Sequence, residues 1–311
     1  MPNHAFTWLG VVLAIFFWAS NFNAIQAISD VISPLMGATL RFSVAALLLL
    51  GLRAWRAEPE SVLSLRDKGA LFFISLVGVL IQNFAIFSAM QYTSPVNAAI
   101  VAANMPLAGI LLSAILLHTR IYRFHILGAL ISFGGVLLVI TQGQFTSLAF
   151  NPGDLLMLIA LISGCLYTIL AKRWVPHIPL SQQLRWMLSL GMLQMSVIVC
   201  LVDTPIRAFQ ALTTQDAALL IYMGLGGTLI AYYFWMKGAR DLGPDRVTSL
   251  FNLMPVFTVL ISMVNGGRIE WTQTAGIVLV GCGVITGNAY PVIKLKLKQK
   301  IAAIRLKHQP E

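Results

Sequence analysis

The feature that most constrains the fold is a series of ten apolar runs, each of about 20 residues, separated by short polar segments. A helix of about 20 residues crosses the hydrocarbon core of a bilayer, and that core cannot satisfy backbone polar groups in an irregular conformation. Each run is therefore predicted to be a membrane-spanning helix. The predicted spans, numbered one to ten in chain order, cover residues 6–28, 35–52, 70–90, 96–117, 124–141, 154–171, 181–202, 215–237, 247–265 and 272–290.

The composition agrees with a chain that lies mainly in lipid. Charged residues make up only 10% of the sequence, whereas soluble domains usually contain about 25%. The net charge of +10 would suggest nucleic-acid binding in a soluble protein, but here the basic residues lie between and after the apolar runs. They are interpreted as determinants of membrane topology. The lipid bilayer is an expected partner, and no nucleic acid is.

The basic residues also predict the orientation of the spans. They concentrate in every second loop and in the C-terminal segment, at Arg53, Arg56, Arg66, Lys68, Arg120, Arg123, Lys172, Arg173, Lys237, Arg240, Arg246, Lys294, Lys296, Lys298, Lys300, Arg305 and Lys307. The only basic residues in the alternate loops are Arg207 and Arg268. Because loops rich in Lys and Arg stay in the cytoplasm, the pattern predicts an even number of spans in a bacterial inner (plasma) membrane, with both termini cytoplasmic.

An internal duplication divides the chain into two halves of five spans each. Residues 76–114 match residues 225–263 at a constant offset of 149. The correspondences include Gly78 with Gly227, Pro95 with Pro244, Met105-Pro106 with Met254-Pro255 and, after small shifts of register, Arg41 with Arg185 and Gly135 with Gly283. Since five is an odd number, the second half must insert upside down relative to the first, as in many secondary transporters with a substrate site near the midplane.

The predicted fold is thus an all-α integral membrane protein, with ten transmembrane helices arranged as two inverted five-helix repeats around a central cavity. No linker rich in Gly or Ser divides the chain, so residues 1–290 are predicted to form a single transmembrane domain. Repeat one covers about 6–141 and repeat two about 154–290, and residues 291–311 form a basic cytoplasmic tail.

Two prolines fall at equivalent depths in the repeats, Pro106 in span four and Pro255 in span nine. Proline removes a backbone hydrogen bond and bends a helix. One interpretation is a fixed bend that improves packing. The other is a pair of hinges on which each half opens one side of the cavity.

The polar residues inside the spans are neutral. No Asp or Glu lies deep in a predicted span, which argues against proton or sodium coupling through an intramembrane carboxylate. A pocket without a fixed charge is therefore expected. The candidate substrate-binding residues that line it are Trp18, Asn21, Gln82, Asn83, Asn104, Tyr167, Tyr232, Trp235 and Asn252. The alternative for any single one of them is a structural hydrogen bond between helices, worth roughly 0.6 kcal/mol.

Two further residues, Arg41 and Arg185, lie near the starts of spans two and seven. They are predicted either to extend to the lipid head groups or to contact a substrate carboxylate at the mouth of the cavity. The five histidines are at or beyond span ends, and the three cysteines have no metal-like spacing. No catalytic residue, metal site or cofactor is predicted.

Several short segments are distinctive, namely 17–22 (FWASNF), 40–42 (LRF), 92–95 (YTSP), 104–106 (NMP) and 151–154 (NPGD), together with the glycine spacing of span five. In these segments the chain resembles the drug/metabolite transporter superfamily, and within it the bacterial EamA-type exporters. The resemblance implies alternating access between the two halves and export of amino acids or related metabolites. One departure is that the first half lacks the Gly-Glu pair that many relatives have after span four.

The predicted function is a secondary transporter or facilitator that exports small neutral or zwitterionic metabolites, amino acids and aromatic ones among them, as its small-molecule substrate. An alternative substrate class is drugs or nucleotide-like metabolites, which aromatic side chains would also suit. A passive channel and a membrane-embedded enzyme are alternatives of a different class. The enzyme would need a base, nucleophile or metal cluster that the sequence does not offer. The oligomeric state stays open, and a monomer is compatible with the pattern.

Overall fold

The computed structural model describes residues 4–56, 60–93, 98, 101–102, 104–141, 151–202, 210, 212–264, 271–272 and 274–287, and the regular structure in this part is helical. In the first half, span one is His4–Ile28, span two is Pro34–Arg56, span three consists of Leu65–Ser75, Leu76–Ile81 and Gln82–Ala89, span four contains Met105–Leu117 and span five is Arg123–Thr141. In the second half, span six is Pro152–Trp174, span seven is Leu180–Val202, and span eight consists of Thr214–Tyr222, Met223–Ile230 and Ala231–Asp241. Span nine consists of Pro244–Ser249, Leu250–Leu253 and Met254–Val264, and span ten contains Thr274–Gly287. The predicted tail, 291–311, lies outside the described residues.

Among the described helices, six are long and apolar enough to cross a membrane by length and composition alone. They are Ala5–Ile28, Pro34–Trp55, Leu65–Ala89, Pro152–Trp174, Leu180–Val202 and Thr214–Asp241. Three shorter apolar helices lie in spans four, five and ten. Each of the ten predicted spans therefore contains helix at its predicted place, and the prediction of an all-helical membrane protein is confirmed.

Local sequence fixes where several spans begin. Spans three, six and eight each start with a reciprocal pair of hydrogen bonds between an N-cap side chain and an aspartate three residues later. The pairs are Ser64–Asp67, Asn151–Asp154 and Thr213–Asp216, and such capping boxes satisfy N–H groups that the first helical turn leaves free. The first and third pairs are separated by the same offset of 149 as the duplication. The repeat therefore extends to the first turns of spans three and eight.

Spans five and ten, which are equivalent in the duplication, cross in opposite directions. Gly128 lies against the backbone of Gly283 and Gly287, whereas Gly135 lies against the backbone of Gly276 and Val280. Residue numbers thus fall along span ten as they rise along span five. Glycines permit this close approach of two helix backbones in a membrane. The opposite direction of equivalent helices is the geometry that an inverted repeat requires.

The two halves interlock rather than lying side by side. Span one of the first half packs on span eight of the second, and span six of the second half packs on span three of the first. Spans two and seven, which are equivalent, pack on each other. Because each half supplies walls to the other, the space at the centre of the bundle is enclosed by helices from both repeats.

The two predicted hinge prolines lie where helices begin rather than inside continuous ones. Pro106 occupies the first turn of the helix Met105–Leu117, directly after a turn at Asn104. In span nine, a short 3-10 segment, Leu250–Leu253, precedes the helix that starts at Met254-Pro255. Proline suits the first turn because the missing N–H has no helical partner there. Pro106 therefore follows a turn and Pro255 follows a change from 3-10 to α-helix, and the hinge role stays a prediction.

Candidate functional site

A cavity lies at the centre of the bundle, and both repeats line it. About 50 Å³ of it is accessible to the centre of a water-sized sphere. Its lining residues are Trp18, Asn21, Phe22, Ile25, Arg41, Gln82, Asn83, Ile86, Met105, Tyr167, Tyr232, Trp235, Phe251 and Met254. A second space, of about 40 Å³ by the same measure, shares five of these residues and extends the cavity toward Met157 and Leu161.

Helical periodicity explains how each span contributes its side chains. In span one, Trp18, Asn21, Phe22 and Ile25 are spaced i, i+3, i+4 and i+7, so that they share one face. Elsewhere the two spans pack closely, since Gly10 of span one lies under the ring of Phe234 of span eight. The cavity is therefore the meeting point of amphipathic faces whose polar residues are amides and phenols.

Aromatic rings form one continuous wall of the cavity. The ring centroids of Trp18 and Trp235 are 5.0 Å apart, and those of Trp18 and Phe251 are 5.8 Å apart. The rings of Tyr167 and Tyr232 are stacked at 5.8 Å with an interplanar angle of 24°. Trp235 donates its indole N–H to Thr168 Oγ1 at 2.9 Å. These contacts fix flat apolar surfaces around the space.

Spans three and eight, which supply Gln82, Asn83, Tyr232 and Trp235 to the cavity, each contain a π-helical segment. The first π segment is Leu76–Ile81 in span three, and the second is Met223–Ile230 in span eight. The N–H of Gln82 points to the carbonyl of Val77, five residues back, and the N–H of Ala231 points to that of Gly226, also five residues back. The two sites are equivalent at the offset of 149. Wide turns of this kind occur frequently at functional sites.

Each π segment presents a glycine carbonyl to a side chain of the other repeat. Gly78 of the first repeat accepts a hydrogen bond from the hydroxyl of Tyr232 at 3.1 Å. Its equivalent, Gly227, accepts from the indole of Trp18 at 2.9 Å and from Nη2 of Arg41 at 2.8 Å. Equivalent backbone atoms are therefore bonded across the interface between the repeats. These bonds connect the walls of the cavity to each other.

Asn83 and Tyr232 extend this connection, and they too are equivalent residues of the two repeats. The amide Nδ2 of Asn83 donates to Tyr232 Oη at 3.1 Å and to the carbonyl of Val79 at 2.9 Å. Tyr232 in turn donates to Gly78, as described above. This chain of bonds orients the phenol at the centre of the cavity, where both side chains are buried.

Arg41 is the one charged residue among those that line the cavity. It lies two turns inside span two and is only 3% exposed. Its Nε donates to Thr228 Oγ1 at 2.7 Å and its Nη2 to the carbonyl of Gly227. Within the described ranges, no carboxylate pairs with it. The expectation of a pocket without a fixed charge is therefore wrong. Of the two roles predicted for Arg41, contact with the lipid head groups does not fit its buried position, and contact with a substrate stays a prediction. Acceptors on the second π segment hold the guanidinium inside the bundle.

Its equivalent, Arg185, has a different environment. It is also buried, but it pairs with Glu60, which follows span two. Arg185 does not line the central cavity. The two equivalent positions thus have the same residue type, but the two arginines contact different parts of the fold.

Several polar atoms of the cavity have no hydrogen-bond partner among the described residues. They are both amide atoms of Asn21, Oε1 of Gln82 and the hydroxyl of Tyr167. Asn21 and Tyr167 are 2% and 1% exposed. Buried polar groups are expected to be paired, so these atoms are available to a ligand that brings its own donors and acceptors.

The structure brings together seven of the nine candidate substrate-binding residues, namely Trp18, Asn21, Gln82, Asn83, Tyr167, Tyr232 and Trp235. Asn104 lies in the turn before Met105, where its Nδ2 donates to the carbonyl of Val101 at 3.3 Å. Asn252 lines a separate space beside Pro106, between spans four, five, nine and ten. The 3-10 segment that contains Asn252 has three residues per turn rather than 3.6, which changes the direction of its side chains.

Sequence reasoning left Arg41 with two alternative roles and missed the apolar members Phe22, Ile25, Met105 and Phe251. The spacing of Phe22 and Ile25 from Trp18 was a usable signal, since all three share one helical face. Met105 and Met254 are equivalent in the repeat, and both line the cavity. Nothing in the sequence pattern marks Phe251 as different from its apolar neighbours.

Acidic residues lie away from the centre in the part of the chain that the structure covers. Asp67, Asp154 and Asp216 are in first helical turns, and Asp241 ends span eight. The described residues contain no group of three His, Cys, Asp or Glu side chains that could hold a metal ion. The central cavity therefore offers a cation, amides, phenols and aromatic faces.

Comparisons with known proteins agree with this architecture. The EamA-like transporter family model matches the chain twice, over residues 5–141 and 151–287. The protein of Bacillus subtilis called uncharacterized transporter YyaM is 28% identical over 276 residues, which cover 88% of this chain and 90% of that protein. The uncharacterized inner membrane transporter YedA of Escherichia coli is 27% identical over 299 residues, which cover 91% of this chain and 94% of YedA.

A solved crystal structure has the same fold, with a TM-score of 0.74 at 18% identity over 92% of this chain and 97% of the other. The family model covers nearly all of both halves, which confirms the resemblance seen in the sequence. The protein is therefore a multi-pass membrane transporter of a small-molecule substrate rather than an enzyme. The chain belongs to the EamA-like transporter family.

Proposed function

We propose that this transporter exports small zwitterionic metabolites, in particular amino acids with aromatic or apolar side chains, by alternating access between its two repeats. The observation that carries the proposal is Arg41, a buried guanidinium without a carboxylate partner in the described structure, at the edge of a cavity with an aromatic wall. A charge inside a membrane protein is costly and is usually functional.

The proposed binding mode uses each class of group in the cavity. The substrate carboxylate binds the guanidinium of Arg41, because arginine N–H groups match the geometry of a carboxylate. The ammonium donates to the unpartnered oxygens of Asn21 and Gln82. The side chain of the substrate packs against the wall formed by Trp18, Trp235 and other rings. Aromatic faces also attract a nearby ammonium.

The energy source follows from the same residues. Coupled carriers commonly use an intramembrane Asp or Glu to bind a proton or sodium ion. The central cavity has no such side chain among its lining residues. We therefore propose facilitated movement down the gradient of the substrate, with export as the direction that the family resemblance implies.

The proposed location is the bacterial inner membrane, with both termini in the cytoplasm. The alternation of basic loops supports this orientation, and YedA of Escherichia coli is called an inner membrane transporter. Residues 1–290 would form the transmembrane domain and residues 291–311 a basic tail on the cytoplasmic surface.

Efflux from proteoliposomes tests the proposed substrate class. Vesicles containing the purified protein are loaded with labelled phenylalanine or with phenethylamine, which lacks the carboxylate. We expect vesicles with the protein to release phenylalanine faster than loaded vesicles without protein. Arg41→Gln should lower this rate about tenfold or more, since a hydrogen bond to a charged group contributes about 1.5–3 kcal/mol. Arg66→Gln is the matched control, because Arg66 is exposed at a helix start outside the cavity.

Two results would contradict the proposal. One is release of phenylalanine and other neutral amino acids at the rate of empty vesicles. The other is an equal effect of Arg41→Gln on phenylalanine and on phenethylamine, which would show that the guanidinium does not recognise a carboxylate. Release of the amine alone would instead favour the alternative class of drug-like substrates.

A further inference from the structure

A second large space lies at the surface between spans two and seven, beside the loop that follows span two. About 220 Å³ of it is accessible to the centre of a water-sized sphere. We call it the lateral groove, and its lining residues are Leu50, Arg53, Glu60, Arg185, Trp186, Ser189, Leu190 and Leu193. It shares no lining residue with the central cavity. The transport proposal therefore does not account for it.

Among its described lining residues, the charged end of the lateral groove has two arginines and one glutamate. Glu60 accepts from Nη2 of Arg53 at 2.9 Å and also from Nη2 of Arg185. One carboxylate thus orients two guanidinium groups, and these three described side chains together have a net charge of +1. A carboxylate between two arginines fixes their planes, because these hydrogen bonds are strong and directional.

The unpartnered polar atoms in the lateral groove are hydrogen-bond donors. Nε of Arg185 and Oγ of Ser189 have no partner among the described residues. The side chain of Arg185 is only 7% exposed, so water reaches it poorly. A buried guanidinium with an unused N–H favours an acceptor with negative charge. The chemistry of this end therefore suits an anion.

The charged end of the lateral groove is held in place by contacts between the two repeats. Ser61, next to Glu60, donates from Oγ to Oε1 of Gln182 at 2.6 Å. In return, Nε2 of Gln182 donates to the carbonyl of Ser61 at 2.8 Å. These bonds attach the loop of the first repeat to span seven of the second. The positions of the arginines are thus set before any ligand binds.

The rest of the lateral groove is apolar and open to the outside of the bundle. Trp186, Leu190 and Leu193 follow one another along one face of span seven, at spacings of four and three residues. Leu193 is 55% exposed and Leu50 is 38% exposed. In a membrane bundle, such outward apolar side chains contact acyl chains. Trp at the charged end is typical of the boundary between hydrocarbon and head groups.

We propose that the lateral groove binds an anionic phospholipid, with the head-group phosphate at Arg53 and Arg185 and an acyl chain along Leu190 and Leu193. Arginine binds phosphate through two parallel hydrogen bonds, and basic pockets between transmembrane helices bind anionic lipid head groups. Because span two belongs to the first repeat and span seven to the second, the lipid would contact both repeats.

Native mass spectrometry of the full-length protein tests the proposal. The protein is titrated with dioleoyl phosphatidylglycerol and, separately, with dioleoyl phosphatidylcholine, which has the same chains and no net charge. We expect the anionic lipid to be retained preferentially. Arg53→Gln should weaken its apparent affinity about tenfold, as expected for one lost hydrogen bond between charged groups. Arg53 is half-exposed, so this variant leaves the buried pair of Arg185 and Glu60 intact.

Two further variants make the test specific. Arg66→Gln removes the same charge from an exposed position outside the lateral groove, and it should leave lipid retention nearly unchanged. Ser189→Ala removes one unpartnered donor without changing the charge, and it should weaken phosphatidylglycerol binding by a few-fold. A correctly folded protein is verified by its elution as a monodisperse peak in size-exclusion chromatography.

Three results would overturn the proposal. Equal retention of the two lipids would show that the head-group charge is not recognised. An equal loss with Arg53→Gln and Arg66→Gln would assign the preference to the overall basic surface. Displacement of the lipid by glycerol phosphate, which has the same anionic group but no acyl chains, would assign the arginines to a soluble phosphate compound.

Discussion

Replacing Gly135 by alanine tests the contact between the two inverted repeats. Gly135 of span five faces the backbone of span ten, and a Cβ atom added to it would lie 2.6 Å from the N of Val280 and 2.7 Å from the carbonyl O of Gly276. Ordinary contacts begin at 3.4 Å, so the two helix backbones would have to separate by about 0.8 Å. Backbone atoms cannot rotate away as a flexible side chain can. Such overpacking costs about 1–3 kcal/mol.

The neighbouring residue supplies the control. A Cβ atom added to Gly134 would meet nothing within 4 Å. Both substitutions replace glycine by alanine in the same helix, and each gains about 1 kcal/mol of helix propensity. The difference between them therefore isolates the packing cost at Gly135.

The assay is thermal denaturation in detergent, followed as the loss of the monodisperse peak after a fixed time of heating. At roughly 2–4 °C per kcal/mol, Gly135→Ala should denature several degrees below Gly134→Ala. The second repeat offers the same comparison, because Gly283 faces the backbone of span five whereas Gly281 meets nothing within 4 Å. Equal stability of Gly135→Ala and Gly134→Ala would refute the close antiparallel crossing of spans five and ten.

The remaining predictions concern the central cavity and one helix start. Thr228→Val removes the hydroxyl that orients Arg41 at 2.7 Å, so the KM for phenylalanine in the efflux assay should rise about fivefold, as expected for about 1 kcal/mol, with little change in thermal stability. Asn83→Ala removes the amide that donates to Tyr232 and should lower transport while the protein still elutes as a folded peak; unchanged transport would count against the assigned lining. Asp154→Ala removes a capping box and should lower stability by about 1 kcal/mol, measured as the denaturation temperature, without altering KM.

The sequence predicted the helices well because hydrocarbon allows so few alternatives. Runs of apolar residues, such as those of spans one and six, can cross a bilayer only as helices. The duplication then predicted the inverted arrangement. The structure agrees with it, because Gly128 lies against Gly283 whereas the later residue Gly135 lies against the earlier residue Gly276. These conclusions depend on composition and periodicity, which the sequence displays without any knowledge of depth or contacts.

The details of the site depend on departures from a regular helix, which composition does not reveal. Arg41 was expected near a surface, but the carbonyl of Gly227 and the hydroxyl of Thr228 hold it inside the bundle. Those acceptors lie on a π segment that no sequence pattern predicted. Asn252 was expected beside the other amides, yet it lies in a 3-10 segment and faces a different space.

The paired π segments have a consequence for how the protein arose. A turn with an extra residue is most simply explained by a one-residue insertion into an ordinary helix. Both copies contain such turns, in Leu76–Ile81 and in Met223–Ile230, and the two segments end at equivalent residues. The simplest history places that insertion in the ancestral gene, before it doubled and fused. The ancestor would then have been a five-helix chain that entered the membrane in both directions and assembled with an oppositely oriented copy of itself.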